Sequence, residues 1–467
     1  MGRMLTRKNR NPKQAYLKNG STIAVIGGGP AGSFFSILVQ KKARENGLDL
    51  NIVLFDGKNF LKEGPAGCNM CAGVISRGLL YELERLGLEI PEDRVQRVIN
   101  SYTFHTIKGT HSVNSPHGKE GLPVVFRGNG PRFSGRLETI SFDDFLLNNA
   151  VQSGVRIVPS FVRSIDFQTE TTHRPIVRWR GGTLPVDLVV VATGVSTEFA
   201  KKLKSSGVKY RPPSCVRAFQ AELDLGEGNI EKHFGNSIHV FSIGLKGIRF
   251  AAIIPKSRFA TISLVGNQDL DKHHLSYFLS SPIVKNILPK GWKLPERFCF
   301  CRPSLPVSCG SNFYSNRLMI IGDAAMSRHY KNGIDSAFQT ARFATNAAFG
   351  DLARSTLRKS YGAPVTRKFK VENSYARLLF AINDIVSPRE FWVNTHLYYV
   401  LHSPNSKTAR TILNLTWNLF TGQASYRDIF FTSISPRFLF WMAVGILGRR
   451  GPKYSTKGEK IPPDLNS

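Results

Sequence analysis

A glycine-rich turn between two apolar runs constrains the fold of this 467-residue chain more than any other feature. The stretch IAVIGGGPAGSFFSILV, residues 23–39, begins with β-branched and small residues typical of a buried strand and ends with helical apolar spacing. Between the two runs lies the pattern Gly27-x-Gly29-x-x-Gly32. In such a turn the glycines allow the tight bend, the approach of a pyrophosphate to the backbone and close helix–strand packing. The pattern predicts an α/β fold with a dinucleotide at a helix N-terminus.

An acidic residue after the next apolar run supports this prediction. In NIVLFDG, Asp56 directly follows the run 52–55, where a carboxylate can accept a hydrogen bond from a ribose hydroxyl. The interval from Gly27 to Asp56 is longer than usual, and the polar segment KKARENGLDL between them lengthens the helix or its loop. The alternative is a structural turn that binds no ligand.

The charge of the chain limits its partners. Lys and Arg number 63 against 33 acids, which gives a net charge of +30. This excess predicts attraction to a polyanion, either nucleic acid or an anionic membrane surface. No zinc-finger spacing or RNA-recognition signature is present, so we expect no nucleic-acid partner. The basic tails, 1–20 and 449–467, are either solvated ends or lipid contacts.

Cysteine content and hydropathy indicate the cellular compartment in which the protein is expected. Six cysteines are too few for a disulfide framework, and no secretory signal precedes the first strand, so a cytoplasmic protein is expected. The apolar segment FLFWMAVGIL, residues 438–447, is shorter than the roughly 20 residues that span a bilayer. Flanking arginines favour an interfacial anchor on the inner face of the membrane. A buried C-terminal helix explains the same residues equally well.

Two further glycine-ended strands appear later in the sequence. The run 188–191 is followed by Ala-Thr-Gly194, and the run 318–321 is followed by Gly-Asp323-Ala-Ala. A long helix of small residues then starts near Gly333, and its first N–H groups at Gly333 and Ile334 can meet an anionic or carbonyl group. The three strand ends can converge on one long ligand.

The order of these segments resembles the flavoprotein superfamily that includes p-hydroxybenzoate hydroxylase, and within it the geranylgeranyl reductase family of FAD-dependent oxidoreductases. The resemblance covers about residues 21–350. It implies a Rossmann-type FAD-binding domain with an inserted β-rich substrate domain and a C-terminal helical region. It further implies that an extended FAD contacts Gly27, Gly29, Gly32, Asp56, Gly194 and Asp323. The start of the long helix would face the flavin pyrimidine, beside Lys331, Asn332, Gly333 and Ile334.

Two segments favour the reductase branch, and others depart from it. The loop GPAGCNMCAGVIS resembles the cysteine–glycine loop of the reductases, and Pro255-Lys256 resembles their Phe-Pro-Lys turn. After Gly-Asp-Ala-Ala, however, the expected glycine and proline are missing. The arginine that the family places just before FDDFLL is also absent from its spacing. Arg136 is the nearest candidate for this cofactor contact, and Arg132 is the second.

The pair Cys68-x-x-Cys71 has several interpretations. Reduction of an isolated alkene needs a hydride and a proton donor, and either thiol could be that donor. A redox disulfide or two small residues in a glycine-rich loop are alternatives. The spacing of Cys299 and Cys301 suits zinc poorly, so no metal site is predicted. Tyr330 is a further candidate proton donor, unless it belongs to a surface loop.

These observations divide the chain into domains. The discontinuous FAD-binding domain is expected over 21–75, 140–200 and 305–365, and the substrate domain over 76–139 and 201–304. Residues 366–448 repeat apolar residues at helical spacing and are rich in aromatic side chains, so they can form the wall of an apolar tunnel.

The resulting hypothesis is an enzyme that reduces carbon–carbon double bonds of isoprenoid or polyprenyl chains at a membrane surface. One dinucleotide fingerprint leaves the electron donor open between transiently bound NADPH, a ferredoxin or a quinol. A monooxygenase or halogenase acting on an aromatic or lipid ring is an alternative, although the halogenase segment Trp-x-Trp-x-Ile-Pro is absent. A flavin-binding membrane protein without turnover is the third possibility.

Overall fold

The computed structural model describes residues 16–106, 109–116, 121–135, 139–167, 174–266, 268–329, 332–386 and 407–447. The strands are β1 (Ser21–Ile26), β2 (Leu50–Phe55), β3 (Val95–Ile99), β4 (Ser101–Thr106), β5 (Gly109–Asn114), β6 (Leu122–Val125), β7 (Arg156–Val158), β8 (Val162–Asp166), β9 (Ile176–Trp179), β10 (Gly182–Pro185), β11 (Leu188–Val191), β12 (Cys215–Asp224), β13 (Ser237–Ser242), β14 (Ile248–Pro255), β15 (Phe259–Gly266), β16 (Cys299–Cys301), β17 (Ser304–Pro306), β18 (Tyr314–Ser315) and β19 (Leu318–Ile320). The helices are α1 (Pro30–Glu45), α2 (Arg77–Arg85), α3 (Phe142–Gln152), α4 (Thr197–Ser205), α5 (Glu227–His233), α6 (Lys272–Ser280), α7 (Pro282–Lys285), α8 (Gly333–Ala348), α9 (Arg354–Leu357), α10 (Ala363–Val386), α11 (Lys407–Thr421), α12 (Tyr426–Ser433) and α13 (Pro436–Leu447).

The predicted glycine-ended strands form one sheet. Its strand order is β18-β19-β11-β1-β2-β7, and all neighbours are parallel except β18 and β19. Both faces of β1 and β11 are buried, which explains why the sequences of these strands are almost continuously apolar. Helices α1 and α8 pack against each other, with the rings of Phe34 and Phe338 5.3 Å apart. The carboxyl ends of β1, β2, β11 and β19 therefore lie at one edge of the sheet.

The second large sheet is mostly antiparallel. Its order is β16-β12-β15-β14-β13-β4-β5, with β17 also pairing with β12 and with β13 and β4 parallel. Its strands come from the stretches 101–114 and 215–306. One face of this sheet packs on α6 through a core that includes Phe241 and Phe278. The other face is turned toward the parallel sheet and the C-terminal helices.

The C-terminal helices cover the far end of the second sheet. Trp417 on α11 is buried and meets the ring of Tyr102 on β4 edge-on at 5.5 Å. Tyr426 at the start of α12 is also buried and donates to the carbonyl of His329. In the part of the chain that the structure describes, no helix has the length and apolar character needed to cross a bilayer.

Candidate functional site

The fingerprint glycines are held against neighbouring backbone. Gly27 has φ +106°, and a Cβ there would lie 2.5 Å from the carbonyl oxygen of Ala192. A Cβ on Gly32 would lie 1.9 Å from the carbonyl oxygen of Gly27. Neither position has room for a side chain, and the bare backbone of Gly27 and Gly29 borders a cavity at the start of α1. Such a helix start presents N–H groups without intrahelical partners to an anion.

Asp56 lies beside this turn. Its Oδ2 accepts from the N–H of Gly28 at 2.6 Å, and its Oδ1 accepts from the N–H of Lys58 at 2.7 Å. Burial raises the pKa of the carboxyl group, and the two amides oppose that rise. The side chain is fixed at the end of β2 and keeps lone pairs for a hydroxyl donor.

Asp323 brings the third strand end to the same place. It follows Gly322, which has φ +65° and where an added Cβ would lie 2.8 Å from the Cβ of Ala31 at the start of α1. The Oδ1 atom of Asp323 is buried without a hydrogen-bond partner among the described residues. Burial raises the pKa of this carboxyl group, and a hydrogen bond from Ser327 lowers it. An unsatisfied buried acceptor of this kind fits a sugar or ribityl hydroxyl.

The start of α8 lies next to Asp323. A Cβ on Gly333 would lie 3.8 Å from both carboxylate oxygens of Asp323. Asn332 adopts the left-handed conformation immediately before the helix, with φ 54° and ψ 44°. Its side-chain nitrogen donates to the carbonyl of Thr421 at 3.2 Å. This contact joins the start of α8 to the end of α11, and the role expected for Asn332 beside the flavin ring stays a prediction.

Three predicted residues lie outside the described ranges: Arg136, Tyr330 and Lys331. Their predicted roles are unchanged.

Both cysteines of the Cys-x-x-Cys loop are free thiols. The Sγ of Cys68 accepts from the N–H of Met70 at 3.2 Å, and the Sγ of Cys71 accepts from the N–H of Gly73 at 3.5 Å. Burial raises the pKa of the Cys68 thiol above its ordinary value near 9. Cys68 is therefore protonated at neutral pH, as a proton donor has to be, and it is a poor nucleophile.

A buried ion pair supports this loop and is the main feature that the sequence analysis missed. Arg127 donates from Nε to Oδ1 of Asp143 at 2.5 Å and from Nη2 to Oδ2 at 2.9 Å. The amide of Asn69 also donates to Asp143. Lys58 donates to the carbonyl of Cys68 at 2.9 Å and to the side chain of Asn69 at 3.2 Å.

The loop after Arg127 packs closely on the cysteine loop. Arg127 is followed by Gly128, where a Cβ would lie 2.5 Å from the carbonyl oxygen of Gly67. The glycines of the two loops allow this close approach, and the arginine is thereby brought next to Cys68. The charge of Arg127 lowers the pKa of Cys68, although burial outweighs this effect.

One cavity of about 1630 Å³ joins all of these groups. Ten of the predicted site residues line it: Gly27, Gly29, Asp56, Cys68, Cys71, Gly194, Asp323, Asn332, Gly333 and Ile334. Gly32 is absent from the lining because it packs on Gly27 inside the turn. Typical small-molecule pockets measure about 300–1,000 Å³, so the cavity has room for more than one ligand.

The cavity has two halves of different character. The dinucleotide half lies at the strand ends of the parallel sheet, around Gly29 and Asp56. The other half, the apolar groove, lies between the open face of the second sheet and helices α10–α13. Its lining from the sheet includes Tyr102, Phe104, Val113, Ile238, Val240, Ala252 and Ile254. Its lining from the helices includes Leu379, Phe380, Leu413, Leu419, Phe420, Ile434, Phe438 and Leu439.

Comparisons with solved structures find several proteins of similar fold. No family profile and no curated sequence matches the chain. A geranylgeranyl bacteriochlorophyll reductase-like protein from Thermoplasma acidophilum is 15% identical, with a TM-score of 0.58, and the match covers 93% of this chain and 97% of that one. The flavin-dependent halogenase CmlS is 19% identical with a TM-score of 0.56, covering 76% and 63% of the two chains. A variant of halogenase PltM in complex with FAD is 13% identical with a TM-score of 0.57, covering 90% and 87%.

These likenesses agree with the resemblance inferred from the motifs. The reductase-like protein matches over 93% of this chain, which has both large sheets and the C-terminal helices. The predicted α/β architecture, a Rossmann-type domain with added β-rich and helical parts, is confirmed. The chain has the fold shared by this reductase-like protein and these two halogenases.

Proposed function

We propose that this chain is an FAD-dependent oxidoreductase that reduces carbon–carbon double bonds of isoprenoid lipid chains. The observation that carries the proposal is the single cavity, in which the dinucleotide half opens directly into the apolar groove. A long apolar substrate in the groove would thus meet the cofactor without leaving the protein.

The residues of the dinucleotide half fit FAD. The turn at Gly27 and Gly29 would hold the pyrophosphate on the N–H groups of α1, and Asp56 would accept from the adenosine ribose. The unsatisfied oxygen of Asp323 would accept from a ribityl hydroxyl. The N-terminus of α8 would favour negative charge on a reduced ring. When bound, FAD supplies hydride transfer.

Cys68 is the side chain that we propose for proton delivery. It lines the cavity, and burial keeps its thiol protonated at neutral pH. Addition of a hydride to one alkene carbon leaves the neighbouring carbon in need of a proton, which a positioned acid donates. Cys71 lines the same wall and is the alternative donor.

The length of the groove favours a long chain. Its sheet wall runs from Gln220 on β12 to His111 and Val113 on β5, across five inter-strand steps. At about 4.8 Å per step this is about 24 Å. The hydrocarbon core of a bilayer is about 30 Å thick, so one leaflet is roughly 15 Å deep. The groove can therefore hold an extended lipid chain that is longer than one leaflet is deep. A polyprenyl chain is a substrate of this kind.

We further propose that the enzyme works at an anionic membrane surface. Exposed apolar side chains cluster on and between α12 and α13: Phe431, Ile434, Leu439, Phe440 and Val444. Ile434 and Leu439 also line the groove, so this surface surrounds its opening. The net charge of +30 would attract anionic lipid. A lipid chain could then enter the groove directly from the bilayer.

Substitutions in the groove test the proposal. Ala252 lies on β14 in the middle of the groove, so Ala252→Phe should obstruct the chain without contact with the dinucleotide half. Turnover of a geranylgeranyl lipid should fall at least 10-fold while bound FAD is retained. Ala252→Ser is the matched control and should behave like the wild type. Equal turnover in both variants would contradict a substrate chain in the groove.

The other candidate activities predict different behaviour. A monooxygenase or halogenase would consume NADPH and oxygen in the presence of an aromatic substrate. A flavin-binding protein without turnover would hold FAD tightly, and no electron donor would reduce the bound flavin. Supplying NADPH, a reduced ferredoxin or a quinol in turn, without oxygen, identifies the electron donor of a reductase by the bleaching of the flavin spectrum.

A further inference from the structure

The open face of the second sheet carries two polar side chains at its β12 end. Gln220 on β12 and Ser263 on β15 are paired in register, and both line the cavity. Paired residues of antiparallel strands have Cβ atoms about 4.5–5.5 Å apart, so the two side chains can meet the same small group. We call Gln220 and Ser263 the polar pair. Next to it in register follow Ala252 on β14 and Val240 on β13, which are apolar.

The protein makes little use of the hydrogen-bonding groups of the polar pair. Gln220 has only 7% of its surface exposed. Its Oε1 accepts from the Cys301 thiol at 3.8 Å, a long contact from a weak donor. Among the described residues, neither the amide nitrogen of Gln220 nor the hydroxyl of Ser263 has a hydrogen-bond partner. A buried amide without a partner is costly, so these donors favour an oxygen atom of a ligand in the cavity.

The charged groups on the neighbouring strands have partners within the protein. Glu222, two residues further along β12, accepts from the ammonium of Lys256 at 3.0 Å and from the hydroxyl of Thr261 at 2.8 Å. Arg302, which follows β16, donates to the carbonyl of Leu270 at 3.0 Å. A buried anion needs a counter-charge, and these cations are already engaged. An amide and a hydroxyl in such surroundings fit an uncharged oxygen, as in an alcohol or a carbonyl group.

The polar pair lies near the proposed proton donor. Cys301 pairs in register with Gln220, and burial and the charge of Cys68 both raise the pKa of the Cys301 thiol. The turn Gly64–Ala66, which precedes Cys68, packs on the strand that contains Cys301. Cys68 and Gln220 also line the same cavity. A group held by the polar pair would therefore lie on the Cys68 side of the cavity.

We infer that the polar pair binds the uncharged oxygen at the polar end of the lipid substrate, so that the double bond beside this oxygen is reduced first. This inference rests on the proposed function, which places the hydrocarbon chain in the groove. Gln220 and Ser263 would donate to the oxygen, and the chain would extend across β14 and β13 toward β5. One alkene carbon would gain the hydride that reduced FAD supplies, and the other would gain the proton of Cys68. The thiolate left on Cys68 would regain a proton from solvent.

Equilibrium binding to the FAD-loaded full chain tests this assignment. The probes are geranylgeraniol and the hydrocarbon that has the same chain with a methyl group in place of the hydroxymethyl group. Both are titrated in the same detergent and followed by calorimetry. Gln220→Met should weaken binding of the alcohol about 3- to 10-fold, the loss of an uncharged hydrogen bond, and leave binding of the hydrocarbon within about twofold. Ser263→Ala, which removes only a hydroxyl, should weaken binding of the alcohol alone in the same way.

The position of the first reduced double bond is a second readout. In a single turnover with geranylgeraniol, the wild type should reduce the bond beside the hydroxymethyl group, and Gln220→Met should spread reduction over the chain. Gln152→Met, at an exposed position at the end of α3, is the matched control and should change neither binding nor position.

The two readouts separate this inference from the proposed function. An equal effect of Gln220→Met on the alcohol and the hydrocarbon, whether large or absent, would overturn the assignment and leave the proposed function standing. First reduction at a double bond remote from the oxygen in the wild type would do the same. Failure of the wild type to bind or reduce either lipid would overturn the proposed function itself.

Discussion

Arg127 and Asp143 form a two-pronged ion pair beneath the cysteine loop, with N–O distances of 2.5 and 2.9 Å. Both residues are buried, Arg127 with 6% and Asp143 with 0% of its surface exposed. Asn69, the residue after Cys68, donates to Asp143, so the pair is joined to the cysteine loop, and Arg127 also lines the cavity. The pKa of Arg127 is raised by Asp143 despite burial, so the guanidinium stays charged.

Removing the charge of Asp143 should destabilise the protein strongly. Asp143→Asn leaves a buried guanidinium without its counter-charge, and the free energy of unfolding should fall by about 3–5 kcal/mol in denaturant titrations. Asp224→Asn is the control, because Asp224 pairs with Arg258 where both side chains are well exposed. That variant should lose no more than about 1 kcal/mol. Similar losses in the two variants would show that the buried pair has no special role.

Adding one methyl group to the fingerprint should abolish tight FAD binding. In Gly32→Ala the new Cβ would lie 1.9 Å from the carbonyl oxygen of Gly27, so the turn must move. We expect the dissociation constant of FAD to rise at least 10-fold, measured by flavin fluorescence. Gly78→Ala in α2 has no atom within 4 Å of the new Cβ and should bind FAD normally. Wild-type affinity in Gly32→Ala would mean that the cofactor does not depend on this turn.

Loss of the Cys68 thiol should slow proton delivery and spare cofactor binding. Cys68→Ala should lower the rate of lipid reduction about 100-fold with FAD content unchanged. Because burial raises the pKa of this thiol above 9, the wild-type rate should stay level up to that pH and fall at higher pH as the thiol ionises. Wild-type turnover in Cys68→Ala, together with a large loss in Cys71→Ala, would transfer the role to Cys71.

A buried histidine pair should make the fold sensitive to acid. His105 and His239 are hydrogen-bonded at 2.9 Å, and burial lowers the pKa of each to about 4. Histidines in the unfolded chain protonate near 6.5, so the stabilisation is complete above that pH and is lost as the pH falls toward 4, by roughly 3 kcal/mol for each histidine. Unfolding followed across this range should show less pH dependence in His239→Gln. The exposed His273→Gln should retain the wild-type dependence.

The exposed apolar cluster at the groove opening should mediate membrane binding. Leu439 and Phe440 are 50% and 61% exposed, and the double variant Leu439→Ser, Phe440→Ser should weaken sedimentation with anionic vesicles about 10-fold or more. Tyr81→Ser on α2 is the control, since Tyr81 is 60% exposed away from the cavity lining. Unchanged sedimentation of the double variant would place any membrane contact elsewhere.

The sequence predicts the parts of the site that rest on local pattern. The strands before Gly27 and Gly194 and the helix starting at Gly333 are found where the apolar runs and glycines place them. Asp323 lies at the same edge of the sheet because the carboxyl ends of neighbouring parallel strands lie side by side. These features follow from turn chemistry and hydrophobic periodicity, which are visible in one sequence.

The contacts that depend on tertiary packing could not be predicted. Arg127 meets Asp143 only because the chain beyond β6 packs on the start of α3, and no local pattern in the sequence marks this contact. The groove likewise requires α11 to lie on β4 and β5, where Tyr102 meets Trp417 across more than 300 residues of chain.

Anaerobic reoxidation of the flavin is the measurement to make first, because it shows whether reduced flavin saturates a lipid double bond. The purified FAD-loaded protein is reduced with dithionite without oxygen, a geranylgeranyl lipid is added, and the flavin spectrum and product mass are followed together. We expect reoxidation of the flavin with a gain of two hydrogens for each double bond reduced. A flavin that stays reduced until oxygen enters, with an unchanged lipid, would rule out reduction of this lipid and favour oxygen-dependent chemistry.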